Sequence, residues 1–250
     1  VVLAAKHYKV PAIIHESDMT PGLANKICIP SAKTICCNFP ETLNYLPKDK
    51  AILTGSPIRK ELLEGDRLTG LQYAHLSANK PVILVIGGSL GSITVNSAVR
   101  KVLPKLLNRY QVIHISGKGN LDESLINLDG YKQYEYVDTP LKHFFAAADI
   151  VVSRAGANSI CEILALRKPN VLIPLSAAAS RGDQILNAKS FEKQGFSTVL
   201  EEEQLTESSL EQAILDTDQN RSSFIKAMEQ SPLSNAVDTI IQLIESYSAQ

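Results

Sequence analysis

The chain has 250 residues, 44% of them hydrophobic, and a formal net charge of −1. This length supplies one large domain or two small ones with a sizeable core. Since nucleic-acid-binding domains show a basic excess, the balanced charge argues against a nucleic-acid partner.

The predicted elements alternate between short apolar strands and helical patterns, which indicates an α/β protein with parallel sheets. Continuous apolar strands such as VILVI suit a sheet that is covered on both faces. In chain order, strands are predicted at 11–15, 33–37, 51–55, 82–88, 112–117, 134–137, 149–153, 170–174 and 197–200.

The chain opens within a predicted helix and has no initiator methionine, so we expect further chain upstream of Val1. A polar stretch without a predicted strand then separates two blocks. We predict a partial domain at 1–58, an interdomain linker at 59–80, a doubly wound domain at 81–232 and an amphipathic C-terminal helix at 233–250.

The four cysteines show no spacing typical of metal ligands; they are Cys28, Cys36, Cys37 and Cys161. Reduced, buried thiols in a cytoplasmic protein are expected rather than a redox or zinc site. No apolar run reaches the roughly 18 residues that a membrane-spanning helix requires.

A first glycine turn, VILVIGGSLGSITVN, places Gly87, Gly88 and Gly91 between a buried strand and a helix. Backbone amides at such a turn can bind phosphate. No Lys-Ser/Thr pair follows, which excludes the P-loop, and the third glycine and the acidic residue of the dinucleotide fingerprint are missing. A nucleotide-binding turn and a merely tight turn both remain open.

A second turn, VVSRAGANSICEI, follows the strand at 149–153 and leads into a helix. Ser159 lies in the first turn of this helix, where its hydroxyl and the unpaired amides can meet a phosphate. Glu162 lies about one turn further on. Its carboxylate suits the paired hydroxyls of a ribose, although a carboxylate that complements the helix dipole explains it equally well.

A third cluster follows the strand at 170–174. Gln184 and Asn187 are three residues apart and share one helix face, where their amides would suit sugar hydroxyls. Solvated amides are the commoner case. The acidic pattern Asp216–Asp218 lies between two predicted helices rather than at a strand end, so no metal site is expected there.

Six segments, in this order, resemble the MurG family of UDP-N-acetylglucosamine transferases, which complete lipid II in peptidoglycan synthesis. They are IHESDMTPGLANK, TGSPIR, IGGSLGS, HISGKG, SRAGANSICEI and DQILNA. The resemblance covers essentially the whole chain. It implies a GT-B fold: a doubly wound Rossmann-like C-terminal domain at 81–232, and at 1–58 the tail of a second Rossmann-like domain on the acceptor and membrane side.

The resemblance also implies site roles. Glu162 would bind the ribose hydroxyls of UDP, and Val137 would lie near the backbone that recognises uracil. The diphosphate and sugar would be met by Arg59, Gly88, Ser89, Gly91, Ala157, Asn158, Ser159, Gln184 and Asn187. No metal and no cofactor are implied.

Three positions depart from common family residues: Leu90 replaces a glutamine, Asp18 an asparagine and Ala155 a serine. These substitutions are consistent with subfamily differences.

The implied reaction is inverting transfer of N-acetylglucosamine from UDP to the 4-hydroxyl of the muramyl sugar of lipid I, at the cytoplasmic face of the bacterial membrane. His15 and Glu16 are the candidate catalytic residues within the chain; a strand-end cap explains Glu16 equally well. The main base is expected upstream of Val1, so we expect the isolated chain to bind the UDP-sugar weakly and to transfer nothing.

Three other functions stay open. Two are other GT-B enzymes, a diacylglycerol glycosyltransferase and a UDP-N-acetylglucosamine 2-epimerase. The third is a non-catalytic UDP-sugar-binding subunit that needs a partner.

Overall fold

The computed structural model describes residues 1–88, 91–178, 182–231, 233 and 236–248. The helices are α1 (Val2–His7), α2 (Leu23–Cys28), α3 (Arg67–Tyr73), α4 (Ile93–Leu106), α5 (Leu141–Ala147), α6 (Ala157–Ala165), α7 (Asp183–Lys193), α8 (Glu207–Gln219), α9 (Arg221–Glu229) and α10 (Ala236–Ser248). The strands are β1 (Ile13–Glu16), β2 (Thr34–Cys37), β3 (Ala51–Leu53), β4 (Val82–Ile86), β5 (Gln111–Ile115), β6 (Tyr131–Tyr134), β7 (Ile150–Ser153), β8 (Asn170–Leu172) and β9 (Thr198–Val199).

These elements form two compact units, residues 1–58 with 231–250 and residues 59–230. The first unit contains a parallel sheet in the order β1-β2-β3. Its core includes Ile14 of β1, Ile35 of β2 and Leu46. The C-terminal helix α10 belongs to this unit, and a hydrogen bond of 2.6 Å joins its Tyr247 hydroxyl to Oγ1 of Thr34.

The second unit contains a parallel six-stranded sheet in the order β6-β5-β4-β7-β8-β9. The order reverses between β4 and β7, which are neighbours in the sheet. In open α/β sheets, ligands bind at the carboxyl edge beside this switch point. The turns after β4 and β7 are the two turns for which the sequence analysis considered ligand binding.

The sheet is stabilised by apolar helix faces. Ile83 and Val85 of β4 are buried in one core with Val99 of α4 and with Leu210 and Ile214 of α8. These side chains follow the alternation of a strand and the spacing of a helix, which is why the sequence pattern locates them. Burying one such side chain contributes about 1.5–3 kcal/mol.

One strand lies elsewhere than predicted. The sixth strand was expected at 134–137, but β6 spans Tyr131–Tyr134. It pairs with β5 through Val112 and Tyr131, and the buried Tyr131 hydroxyl hydrogen-bonds the His114 ring at 2.9 Å. This tertiary pairing sets the strand's register.

The polar segment at 59–80 is folded in the structure. It forms a 3-10 helix at Lys60–Glu64 and then α3, and α3 packs on α5. A Cβ added at Gly65 or Gly70 would lie 2.1 Å from a carbonyl oxygen of the α5 region, so the contact requires glycine. The segment is thus part of the second unit. None of the helices in the described ranges is long and apolar enough to cross a membrane.

Candidate functional site

The glycine turn after β4 lies at the switch point. Gly91 has a φ of +76°, and a Cβ there would lie 2.0 Å from the carbonyl oxygen of Ser116, so the turn packs directly on the loop after β5. Gly88 has a φ of +90°, and a Cβ there would meet none of the described residues within 4 Å. Gly88 is therefore open to a ligand, whereas Gly91 is required for packing. Ser89 and Leu90 lie outside the described residues.

The second turn begins a helix whose first amides have no side-chain cap. Helix α4 is capped by Ser92, whose hydroxyl accepts a hydrogen bond of 3.3 Å from the Val95 amide. The N-cap of α6 is Gly156, and no side chain of the described residues caps it. Uncapped amides at a helix start favour an anion.

These two turns enclose a cavity of about 180 Å³ at the carboxyl edge of the sheet. Four residues predicted from the sequence line it together: Gly88, Val137, Ser159 and Glu162. Most of the remaining lining is apolar and includes Ile86, Ile115, Leu141, Phe145 and Ile163. An apolar cavity with a few polar groups is typical of a small-molecule site. Next to Ser159, Ala157 is buried and Asn158 is exposed.

Glu162 is an acidic residue of the cavity whose pKa is shifted from its ordinary value. Burial raises the pKa of its carboxyl, and the nearby Arg59 guanidinium opposes this rise. Nη2 of Arg59 lies 3.4 Å from Oε1 of Glu162. Arg59, which was expected near a diphosphate, thus contacts Glu162, the residue that is predicted to bind the ribose. Because the Arg59 side chain is 60% exposed, it is free to turn towards an incoming anion.

Val137 reaches the cavity because β6 ends early. Residues 135–137 lie beyond the last strand residue, Tyr134, where backbone groups are no longer committed to the sheet. Glu135, which the sequence did not single out, also lines the cavity. Its Oε1 accepts a hydrogen bond of 2.6 Å from the Gly119 amide and so fastens the loop after β5.

Gln184 and Asn187 lie on α7 as predicted, and both side chains hydrogen-bond backbone groups. The Leu175 amide donates to Oε1 of Gln184 at 3.0 Å. Nδ2 of the fully buried Asn187 donates to the Ala155 carbonyl at 3.3 Å. Both side chains hold turns that border the site. Their contact with sugar hydroxyls stays a prediction.

Arg154 is a site residue to which the sequence assigned no role. Its buried guanidinium donates to the Ile173 and Pro174 carbonyls at 3.2 Å, and to the Ser92 hydroxyl at 2.7 Å. It also pairs with Glu202, whose other carboxylate oxygen accepts the Ser176 amide at 3.0 Å. This one cation therefore joins the start of α4 to the loop after β8. An arginine directly after an apolar strand was the available signal.

The Glu202 carboxylate is ionised in this network. Burial opposes its charge, but the hydrogen bonds from Arg154 and the Ser176 amide outweigh burial, so the pKa of Glu202 lies below its ordinary value. A buried charge pair of this kind holds its shape because leaving either partner alone is costly.

His15 and Glu16, the candidate catalytic residues, end β1 in the first unit. The His15 ring hydrogen-bonds the Gly55 carbonyl at 3.0 Å. The buried Glu16 carboxylate accepts hydrogen bonds from the Asp18 and Gly22 amides, at 3.1 and 3.0 Å, and from Nδ2 of Asn25 at 2.8 Å. These contacts favour the strand-end cap for Glu16, and its catalytic role stays a prediction.

The acidic pattern Asp216–Asp218 serves the fold. The Tyr110 hydroxyl and Nε of Arg221 donate to the buried Asp218, each at 2.6 Å, and Nε2 of Gln212 donates to Asp216 at 2.7 Å. Across the described ranges, no group of three His, Cys, Asp or Glu residues could hold a metal ion.

Comparison with known proteins relates this architecture to glycosyltransferases. Residues 82–244 match the family model described as Glycosyltransferase family 28 C-terminal domain. The UDP-N-acetylglucosamine--N-acetylmuramyl-(pentapeptide) pyrophosphoryl-undecaprenol N-acetylglucosamine transferase of Lachnoclostridium phytofermentans is 64% identical over 245 residues, which are 98% of this chain and 69% of that protein.

Solved structures give the fold. The crystal structure of Acinetobacter baumannii MurG matches with a TM-score of 0.73 at 24% identity, over 98% of this chain and 69% of that one. The UDP-GlcNAc 2-epimerase from Neisseria meningitidis, bound to UDP-GlcNAc, matches with a TM-score of 0.68 at 14% identity, over 98% of this chain and 72% of that one. The predicted α/β class with the GT-B fold is confirmed. The chain is a glycosyltransferase and belongs to the MurG family of N-acetylglucosamine transferases, as its sequence motifs predicted.

Proposed function

We propose that this chain binds UDP-N-acetylglucosamine and serves inverting transfer of N-acetylglucosamine to the 4-hydroxyl of the muramyl sugar of lipid I. The product is lipid II, so the reaction belongs to peptidoglycan synthesis and thereby to cell shape and division. The observation that carries the proposal is the cavity at the switch point, where Glu162 lies beside the glycine turn and the uncapped start of α6.

Different residues of the cavity bind different parts of the UDP-sugar donor. The Glu162 carboxylate accepts hydrogen bonds from the two ribose hydroxyls, and the backbone at Val137 pairs with uracil. The amides at Gly88 and at the start of α6 face the diphosphate, with Ser159 beside them. Arg59 adds a positive charge when it leaves Glu162.

The chemistry needs charge stabilisation on the leaving group. Transfer breaks the bond between the sugar and the diphosphate, and negative charge grows on the departing UDP. Fixed amides stabilise that charge without rearranging, which lowers the barrier. Arg59 adds its positive charge once it has turned from Glu162 to the diphosphate. A base must also take the proton of the acceptor hydroxyl. Within this chain His15 and Glu16 are the candidates for that role.

The substrates proposed for the enzyme support a location at a membrane surface. The relatives' name includes pyrophosphoryl-undecaprenol, a long isoprenoid that partitions into lipid, whereas a UDP-sugar is water-soluble. An enzyme that joins the two works as a peripheral protein at the cytoplasmic face. Partners are thus the nucleotide sugar, lipid I and the membrane surface, with no nucleic acid.

Calorimetric titration of UDP-N-acetylglucosamine into the chain and into Glu162→Ala tests the donor site. We expect at least about a tenfold loss of affinity, since hydrogen bonds to a charged group contribute about 1.5–3 kcal/mol each. Glu192→Ala is the matched control, because Glu192 is an exposed glutamate on α7. Unchanged affinity in Glu162→Ala, with an unchanged melting temperature, would refute the site.

Product analysis distinguishes the transferase from an epimerase. Incubating the chain with UDP-N-acetylglucosamine alone should release no UDP and no epimerised sugar. Release of both without an acceptor would replace the proposed function with a 2-epimerase.

A further inference from the structure

A second cavity lies on the side of the glycine turn that carries α4. It has a volume of about 430 Å³ and lies between α4 and the loop after β5. Ile93, Arg100, Lys101, Asn120, Asp122 and Leu125 line it. All of these residues belong to the second unit, and none contributes to the cavity that contains Glu162.

Arg100 is the unusual group in this cavity. Its guanidinium is half-buried and donates to the Asn120 carbonyl and, at 3.2 Å, to Oε1 of Gln133, which are both neutral acceptors. Its Nε atom is buried without a hydrogen-bond partner. Among the residues that the structure describes, no carboxylate forms an ion pair with Arg100 within 4.0 Å.

The nearby acidic side chain, Asp122, attracts the Arg100 guanidinium electrostatically from beyond ion-pair distance, and its hydrogen bonds are to Ser124. Asp122 is the N-cap of the 3-10 helix at Glu123–Leu125, and its Oδ1 accepts from the Ser124 amide at 3.1 Å and the Ser124 hydroxyl at 2.6 Å. Lys101, next to Arg100, is exposed at the cavity. A partly desolvated guanidinium beside a free ammonium favours an oxyanion from outside the chain.

The remaining lining limits the kind of oxyanion. The Ile93 side chain is 79% exposed, and Leu125 contributes a second apolar surface. A planar guanidinium matches a carboxylate, and the two apolar side chains match short alkyl groups next to it. A carboxylate on an aliphatic peptide combines both properties.

The cavity is tied to the donor site by one carbonyl group. Nδ2 of Asn96, on the cavity wall, donates to the Ser116 carbonyl at 2.8 Å, and Gly91 packs against that same carbonyl. The cavity therefore borders the turn assigned to the diphosphate. In the acceptor named for the relatives, a pentapeptide is attached to the muramyl sugar that is glycosylated, so this peptide starts close to the reacting atoms.

We propose that the cavity between α4 and the loop after β5 binds a carboxylate of the acceptor's peptide, through Arg100 and Lys101. The inference rests on the proposed function and adds a peptide subsite to the donor-binding unit. It makes Arg100 and Lys101 determinants of acceptor affinity with no part in donor binding.

Titration by NMR tests the subsite on the 250-residue chain, because the method measures weak binding. The probe is the peptide Ala-Glu-Lys-Ala-Ala with a free C-terminus, followed through the side-chain amide signals of Asn96 and Asn120. A matched peptide, Ala-Gln-Lys-Ala-Ala amide, has no carboxylate. We expect the first peptide to bind about tenfold more tightly than the second, as for loss of a charge-assisted hydrogen bond.

Variants assign the binding to the two cations. Arg100→Gln should raise the Kd of the acidic peptide about tenfold, and Lys101→Gln about threefold, as expected for an exposed charge. Lys193→Gln, an exposed lysine on α7, should leave the Kd unchanged. Binding of UDP-N-acetylglucosamine should be unchanged in all three variants. Because Lys101 is exposed, its replacement also tests the site if Arg100→Gln folds poorly.

Three results would overturn the inference: equal binding of the two peptides, an unchanged Kd in both Arg100→Gln and Lys101→Gln, or displacement of the peptide by inorganic phosphate at equal concentration. The last result would identify a site for free oxyanions. Failure of the proposed function is distinguishable, since the wild-type chain would then bind no UDP-N-acetylglucosamine whatever the peptide does.

Discussion

Glu162 joins three properties in one residue: a carboxylate at the cavity, partial burial and an exposed cationic neighbour, Arg59. Burial alone would make ionisation costly. The Arg59 guanidinium offsets part of that cost in the free protein, and ribose hydroxyls can take over when the nucleotide binds. The residue is thus held ready as a hydrogen-bond acceptor.

Acid should weaken nucleotide binding through Glu162. Because burial raises its pKa above the ordinary value of 4.5, protonation begins at a higher pH than for an exposed glutamate. The protonated group accepts fewer hydrogen bonds, so UDP affinity should fall as the pH drops through that raised pKa and stay constant above it. Calorimetry across this range measures the midpoint.

Two variants test the assignment of that pH dependence. Arg59→Ala should move the midpoint to higher pH, since the lowering influence is lost. Glu162→Gln should bind UDP more weakly at neutral pH and show no such midpoint. A midpoint that persists in Glu162→Gln would assign the titration to another group.

At the scale of elements, two glycines next to the site should respond in opposite ways. Gly156 has a φ of −65°, and a Cβ there would meet none of the described residues within 4 Å, so alanine fits the free protein. Gly156→Ala should change the free energy of unfolding by less than about 1 kcal/mol but weaken UDP binding, because its methyl group enters the ligand's space.

Gly91→Ala should instead destabilise the fold by about 3 kcal/mol or more, since the new Cβ would clash with the Ser116 carbonyl. Urea unfolding and UDP titration separate the two effects. Full UDP affinity in Gly156→Ala would mean that the start of α6 does not face the nucleotide.

A buried histidine of β5, His114, contacts helix α4. The His114 ring contacts the Tyr131 hydroxyl and Oδ1 of Asn96, both at 2.9 Å. Since Nδ2 of Asn96 donates to the Ser116 carbonyl, its Oδ1 accepts from Nε2 of His114. Burial, aided by Arg100, lowers the pKa of His114 from 6.5 to about 3. The ring is therefore neutral in the folded protein.

Acid should destabilise the protein through this histidine. In the unfolded chain His114 binds a proton below pH 6.5, whereas in the folded protein it does so only below about pH 3. The stability that the neutral His114 contributes is therefore complete above pH 6.5 and is lost as the pH falls from 6.5 to about 3. The expected slope is about 1.4 kcal/mol per pH unit. His114→Gln should remove this contribution to the pH dependence of the free energy of unfolding, which urea unfolding at several pH values measures. The control His7→Gln, at an exposed position, should leave the pH dependence unchanged.

At the scale of the whole second unit, charge networks occupy both edges of the sheet. Asp149 precedes β7 and accepts from the Val82 amide at 2.8 Å, and Arg221 joins it to Asp218. This network lies at the amino edge, opposite the glycine turns. It holds helix α9 to the sheet, whereas the Arg154–Glu202 network lies at the carboxyl edge.

Donor binding should therefore need no metal at Asp216–Asp218. The affinity for UDP-N-acetylglucosamine should be the same with and without EDTA, and the same in Asp216→Asn. Asp218→Asn should lower the free energy of unfolding by about 2 kcal/mol, because it removes the buried negative charge that pairs with Arg109 and Arg221, with little effect on UDP affinity. Loss of donor binding in EDTA would contradict this assignment.

The sequence alone determined those strands and turns that residues close together in the chain specify. Apolar alternation located the strands around the switch point, and glycines after β4 and β7 marked both turns. The ordered motifs identified the family, which no single motif could do. Strand order and helix spacing bring position 162 to the carboxyl edge, and the cavity gathers Glu162 with Gly88, Val137 and Ser159. Binding of ribose by Glu162 stays a prediction.

Tertiary structure decided what depends on contacts distant in sequence. The register of β6 follows from burial of Tyr131 against β5, which the residues at 134–137, where the strand was predicted, cannot show. Arg154 acquires its role only when β8 and the start of α4 are brought to it, and the segment at 59–80 becomes part of a domain through glycine contacts with α5. Local composition records whether a residue prefers a strand, a helix or a turn. Which buried charge or carbonyl it meets is decided by the packing of segments far apart in the chain.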